Sequence, residues 1–310
     1  MTNYLLQTVW NPSEGIDLGF FIIRYYSLMF AIAFGLGWYI TKHIFVREKE
    51  SIEKLDKLFL YVALATLFGA RIGHVLFYQS ELFKEDFLSV FLPISTKPTL
   101  HFTGFSGLAS HGAAIAIIIA MVYFSKKIMH RPLLWVLDRI VIPVASGAFF
   151  VRIGNLINSE IVGKETTSSF GFQFVQDKYL KQEVTQVTGI QDYKQAYHEI
   201  ATNPEPKFTE LLQEVPVRHP AQLYEAICYV FVFAILFLMY WKTDARNKQG
   251  LLFGTFLILL WTVRFIVEFV KETQGGFEKY PMFNALSTGQ WLSIPFIVIG
   301  IYFVVRSRKV

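Results

Sequence analysis

Residues 133–163 read LLWVLDRIVIPVASGAFFVRIGNLINSEIVG, an apolar block that runs without a break into a cluster of polar side chains. Its first part, 133–153, is about twenty residues long, the length a helix needs to cross about 30 Å of hydrocarbon. A strand is excluded there, because its backbone groups would stay unsatisfied in lipid. Pro143 and Gly147 are tolerated in such a helix, and glycine lets neighbouring helices approach closely. Working outward, blocks of the same kind occur at 19–41, 57–79, 107–125, 220–241, 250–271 and 287–305. The expected fold is all-α, a polytopic membrane protein with about seven transmembrane helices and a small extracytoplasmic head. It divides into N-terminal spans at 1–153, the head at 154–218, which is polar and carries Pro204, Pro206 and Pro216, and C-terminal spans at 219–310.

Composition agrees with a bilayer as solvent. Of the 310 residues, 53% are hydrophobic and 31 are Phe, more apolar material than a soluble core of this length uses. The net charge of +5 does not imply nucleic acid, since the cations form no continuous stripe. They sit in four clusters: Lys42 to Lys57, Lys126 to Arg131, Lys242 to Lys248, and Arg306 to Lys309. With seven spans all four fall on one side, which the positive-inside rule makes cytoplasmic. The N-terminus is then outside and the C-terminus inside. No basic leader precedes the first block, so that span is expected to be retained. The single cysteine, Cys228, excludes an internal disulfide and a cysteine-based zinc cluster.

Ionisable groups inside spans are costly, and each is a functional candidate by default. Arg71 lies about 14 residues into its span, roughly 20 Å along the axis. Arg264 and Glu268 occupy an equivalent depth, and Arg152 with Asn155 closes the fourth span. His111 opens the third, Tyr26 lies early in the first, and Gln222, Tyr224 and Glu225 open the fifth. All these groups gather in the outer half of the bilayer, whereas a channel or pump strings polar residues along the whole depth. Each has a bland reading as well. Arg264 and Glu268, four apart, can neutralise each other. Arg71 can snorkel, Tyr26 can be an interfacial anchor, His111 can be a packed histidine, and Arg139 with Asp138 near the inner end reads as structural.

Three motifs shift the balance. The segment from Val151 to Gly163 resembles the signature G-R-x-G-N-F-x-N-x-E-x-x-G of the bacterial prolipoprotein diacylglyceryl transferase family. Arg218-His219-Pro220-Ala221-Gln222-Leu223-Tyr224-Glu225 is similar to its R-H-P-x-Q-L-Y-E, and Arg264 to Phe269 is similar to R-x-x-x-E-F. Tyr26-Ser27-Leu28-Met29, Ala70-Arg71-Ile72-Gly73, His111-Gly112 and Gly289-Gln290-Trp291-Leu292-Ser293 look like further family segments in the right order, so the resemblance covers nearly the whole chain. The departures are Val151 and Leu156 within the signature, Lys164 after it, Ala113 after His111-Gly112, and Leu260 where the family often has a functional tyrosine. Trp261 or Tyr224 is the candidate to take over that tyrosine's role. The head from Glu165 to Pro216 matches least.

The resemblance implies a reaction in the bacterial cytoplasmic (inner) membrane. The sn-1,2-diacylglyceryl group of phosphatidylglycerol passes to the lipobox cysteine of a prolipoprotein, and glycerol phosphate leaves. Its partners would be phosphatidylglycerol, lipobox peptides and membrane lipids, with no nucleic acid. No cofactor and no metal are implied, since the spans hold no paired aspartates. The phosphate gains negative charge as it leaves, so Arg152 and Arg264, with Arg71 as a weaker third, would bind it more tightly in the transition state. The incoming thiol, with a reference pKa of about 8.5, needs a base, and histidine's reference value of about 6.5 makes His111 the candidate. Asn155, Asn158 and Glu160 would orient the head group and the arginines, and Glu268 would hold Arg264. Tyr26, Gln222 and Tyr224 complete the expected substrate-binding set. Two readings from other classes compete: an intramembrane serine protease, with Gly104-Phe105-Ser106-Gly107 as its motif and His74 as base, and a membrane transporter. A CDP-alcohol phosphatidyl transferase lacks its clustered aspartates here.

Overall fold

The fold is that of a computed structural model describing residues 8–19, 22–92, 94–96, 99–102, 109–272, 276 and 285–307. The Gly104–Gly107 motif, part of the first and third apolar blocks, and Arg308 with Lys309 lie outside the described residues. The chain resolves into two compact units, one made of 1–37 with 141–310 and the other of 38–140.

Seven apolar helices occupy the expected blocks: α1 (Tyr25–Arg47), α2 (Ile52–Tyr78), α5 (Ser110–Phe124), α6 (Leu133–Ile157), α11 (Ala221–Lys242), α12 (Leu251–Val267) and α13 (Thr288–Ser307). Six of these stretches are long and apolar enough to cross a membrane, the third running on through a π-turn to Met129. The chain is thus a multi-pass membrane protein. α12, with 17 residues, is the short one, about 25 Å long. Its apolar block was expected to continue to 271, yet the helix stops at Val267 because the next residues turn to pair with the segment after α6. The Lys164 amide donates to the Val270 carbonyl at 2.7 Å, and the Glu272 amide to the Val162 carbonyl at 3.2 Å.

Within the 38–140 unit, α2 packs against α5 so closely that a Cβ built on Gly73 would lie 2.5 Å from the Gly112 Cα. No side chain fits at either position, as in small-residue membrane helix contacts. After α2, the short helices α3 (Leu82–Glu85) and α4 (Phe87–Phe91) lead into the hairpin β4 (Ile94–Ser95) and β5 (His101–Phe102). In the other unit α12 packs against α13 and α11.

Residues 154–218 and the N-terminal segment build small sheets into an otherwise helical chain. β1 (Thr8–Trp10) runs parallel to β6 (Phe172–Phe174), which pairs antiparallel with β7 (Val217–Arg218); β2 (Gly15–Asp17) and β3 (Ile22–Arg24) form a hairpin leading into α1. Four short helices, α7 (Val175–Lys178), α8 (Lys181–Thr188), α9 (Tyr193–Thr202) and α10 (Pro206–Gln213), enclose a core of Val175, Tyr179, Val184, Ala196, Tyr197, Ile200, Phe208 and Val215. The Tyr179 hydroxyl donates to the Leu211 carbonyl, and burial pushes its phenol up to about 12.

Candidate active site

The C-terminal turn of α6 places Arg152 and Asn155 on one side, three residues apart as helix neighbours must be. Arg152 Nε meets Glu225 Oε2 of α11 at 2.5 Å, and its Nη1 donates to Asn155 Oδ1 at 3.2 Å. Asn155 Nδ2 donates to Glu160 Oε2 and Asn158 Nδ2 to Glu160 Oε1, both at 3.1 Å. Glu160 is thus held from two sides. The turn that carries it is strained: Ser159 and Ile161 both take left-handed φ, 55° and 60°. A β-branched residue there is a genuine outlier, and such strain collects at functional sites. Gln222 Nε2 donates to the Glu160 carbonyl at 2.5 Å, while its Oε1 is buried with no hydrogen-bond partner among the described residues.

Tyr26, in the first turn of α1, lies against Gly154, where a Cβ would come 2.8 Å from the ring. Its hydroxyl bonds Asn155 and lies within the electrostatic reach of Glu160 and Arg152. Five expected residues of the signature and α1 are therefore joined: Tyr26, Arg152, Asn155, Asn158 and Glu160. Gln222 joins them through its amide.

Arg264 stands on α12 with its guanidinium 5.4 Å from the centre of the Trp261 ring, and Trp261 stacks on Phe296 of α13 at 4.1 Å and 5° between planes. Arg264 Nε is buried and has no hydrogen-bond partner among the described residues. Glu268, expected to hold Arg264, has Lys271 Nζ as its ion-pair partner at 3.5 Å. Tyr224 turns to His219, its hydroxyl 3.2 Å from Nδ1, and is not tied to the Glu160 network.

Arg71 and His111 belong to the other unit. Arg71 Nη2 donates to the Ser89 carbonyl on α4 at 2.5 Å. That turn is in turn fixed by Asp86, which accepts from the Ser89 amide and from both the amide and hydroxyl of Thr96. Bonds from Ser89 and Thr96 hold the Asp86 carboxyl well below the usual carboxylate range. His111 opens α5 with its ring edge-on to Phe77 at 5.0 Å and 6.1 Å from Tyr78; it is exposed. His74, the base of the protease reading, packs against Tyr78 at 5.3 Å.

Three residues of the cluster carried no role in the sequence reading. Glu225 is only 2% exposed and is the carboxylate partner of Arg152. Tyr229, one turn further along α11, bonds Arg152 and senses Glu225 and Arg264. Lys271 is 6% exposed. The signal for the first two was available, since residues four apart share a helix face. Among the described residues no group of His, Cys, Asp and Glu is arranged to hold a metal ion. The site as a whole offers guanidiniums and amides to an anion, bounded by carboxylates that fix them.

A family model described as prolipoprotein diacylglyceryl transferase matches residues 14–306. The chain is 37% identical over 308 residues to the phosphatidylglycerol–prolipoprotein diacylglyceryl transferase of Bacteroides fragilis, covering 98% of this chain and 96% of that protein. It is 35% identical to the protein of the same name from Chloroherpeton thalassium, over 97% and 94%, and 34% identical to that of Tolumonas auensis, over 97% of each. None of these three relatives bears a protease or transporter name.

Proposed function

We propose a reaction from one premise: the chain belongs to the prolipoprotein diacylglyceryl transferase family. It is a transferase that moves the sn-1,2-diacylglyceryl group from phosphatidylglycerol to the cysteine thiol of prolipoproteins, within the lipobox. The observation that carries the chemistry is the buried, unpartnered Nε of Arg264 in the same unit as the Arg152–Asn155–Glu160 chain.

The bond that breaks joins the glyceryl carbon to the phosphate oxygen, and the bond that forms joins that carbon to sulfur. The electron pair leaves with the oxygen, so the phosphate passes from one negative charge to nearly two. Preorganised cations aimed at it gain strength as the reaction proceeds. Arg264 supplies a planar fork that stays charged. Arg152 is the second, its Nε fixed by Glu225 and its Nη1 by Asn155. Asn158, Glu160, Gln222 and Tyr26 shape the recess for the glycerol head group, and the Trp261–Phe296 stack positions Arg264 in place of the hydroxyl absent at Leu260. His111 takes the thiol proton, a role carried over from the family motif, and Arg71, Tyr224 and Glu268 are positioning residues. The site opens to the outer face of a bacterial cytoplasmic membrane, with the N-terminus outside, the C-terminus cytoplasmic, and 154–218 as an extracytoplasmic head.

The test is purified protein, phosphatidylglycerol and a lipobox peptide. The peptide gains the mass of diacylglyceryl on its cysteine. An unchanged peptide mass, with the protein folded and the lipid present, overturns the assignment.

A further inference from the structure

Lys271 is a buried lysine that no motif singled out. Two backbone bonds to the segment after α6 bracket it, Lys164 N to Val270 O and Glu272 N to Val162 O, and it forms an isolated antiparallel bridge with Gly163. The residue is therefore fixed by the same signature segment that carries Glu160. Its ion-pair partner is Glu268, and Arg264, Glu225 and Arg152 lie within its electrostatic reach. The stem is buried, and the ammonium faces Glu268 Oε2 at 3.5 Å, longer than the about 2.7–2.9 Å of a tight charged hydrogen bond. An ammonium carries three donors, and this pair engages one of them loosely. The Arg139–Glu48 pair, by comparison, closes to 2.9 Å.

We propose that Lys271 is a third catalytic cation, whose ammonium contacts the phosphate of the departing glycerol phosphate while Glu268 tethers it. The proposal rests on the transferase reading above and deepens it. In the step, sulfur bonds to the glyceryl carbon and the carbon–oxygen bond breaks. The electron pair passes to the phosphate, the thiol proton goes to the base, and Lys271 keeps its own proton. A compact ammonium suits this task because the leaving monoester carries about one and a half to two charges at neutral pH, where the bound diester carries one. Lys271 thus discriminates product-like from substrate-like phosphate and acts on kcat more than on KM.

The experiment compares wild type, Lys271→Met and Lys271→Arg as purified full-length protein with phosphatidylglycerol and a lipobox peptide. Inhibition by sn-glycerol phosphate is read in parallel. Lys271→Met, which keeps the apolar stem, loses about 100-fold in kcat with KM for the lipid changed less than about threefold. Its inhibition constant for glycerol phosphate rises by more than about tenfold. Lys271→Arg keeps the charge and stays within about tenfold of wild type in kcat. Should Lys271→Met fail to fold, Lys271→Gln carries the same expectation. An active wild type whose Met or Gln variant keeps both kcat and the glycerol phosphate inhibition constant overturns the role of Lys271 alone. An inactive wild type overturns the transferase reading and this proposal with it.

Discussion

Arg139 and Arg152 both lie on α6, thirteen residues apart, and both pair with a carboxylate. Around Arg139 partners close in from every side: Nη2 and Nε reach Glu48 Oε1 at 2.9 and 3.3 Å, Nη1 donates to the Trp135 carbonyl, and the guanidinium lies 4.2 Å from the Trp135 ring centre. Arg131 adds a second cation to that ring at 5.3 Å and pairs with Glu50. Around Arg152 the pairing is as short, yet in the same unit Gln222 Oε1 and Arg264 Nε are buried without a hydrogen bond among the described residues. Each such group costs about 1–3 kcal/mol, and native chains keep few of them. The first cluster is complete in itself. The second leaves one donor, Arg264 Nε, that an anion could accept from, and one acceptor, Gln222 Oε1, that calls for a hydroxyl or amide donor.

That contrast predicts different failures. Arg264→Ala has the largest expected effect on turnover, a fall of about 10²–10³ in kcat, with the thermal midpoint hardly changed. A matching loss of stability would move Arg264 into the class of Arg139. Arg139→Ala should do the reverse, removing about 3–5 kcal/mol of stability by leaving Glu48 without its main partner. The kcat of the folded fraction should be unchanged, and chemical denaturation with activity measured on the same samples checks both. Trp261→Ala comes last, at about tenfold or less in kcat, since a cation–π contact contributes about 0.5–2 kcal/mol. Trp261→Phe should recover most of it; if neither variant changes the rate, the stack does not position Arg264.

The membrane architecture was legible because length and apolarity alone define a span, and the seven blocks became seven helices. The end of the sixth was not. Nothing local stops the helical period of Arg264-Phe265-Ile266-Val267-Glu268; the stop comes from backbone pairing with residues 162–164, a hundred positions earlier. The same long-range pairing hides Lys271, which from sequence merely closes an apolar block. Signature residues were readable as a group because Arg152, Asn155, Asn158 and Glu160 act within nine positions of one another. The small sheets were illegible for the opposite reason: β1 pairs with β6 across 164 positions, Thr8 with Phe172, through strands of three residues. The bond from Arg71 to the Ser89 carbonyl of α4, eighteen positions on, was likewise not legible from charge at depth.

The claim that the Arg264 guanidinium is open for a phosphate is tested most directly by calorimetric titration of sn-glycerol phosphate into purified wild type and Arg264→Ala. Wild type should bind it, and the variant should bind at least about tenfold more weakly, as expected when a charged hydrogen bond worth about 1.5–3 kcal/mol is lost. Equal affinities in the two proteins would contradict the account.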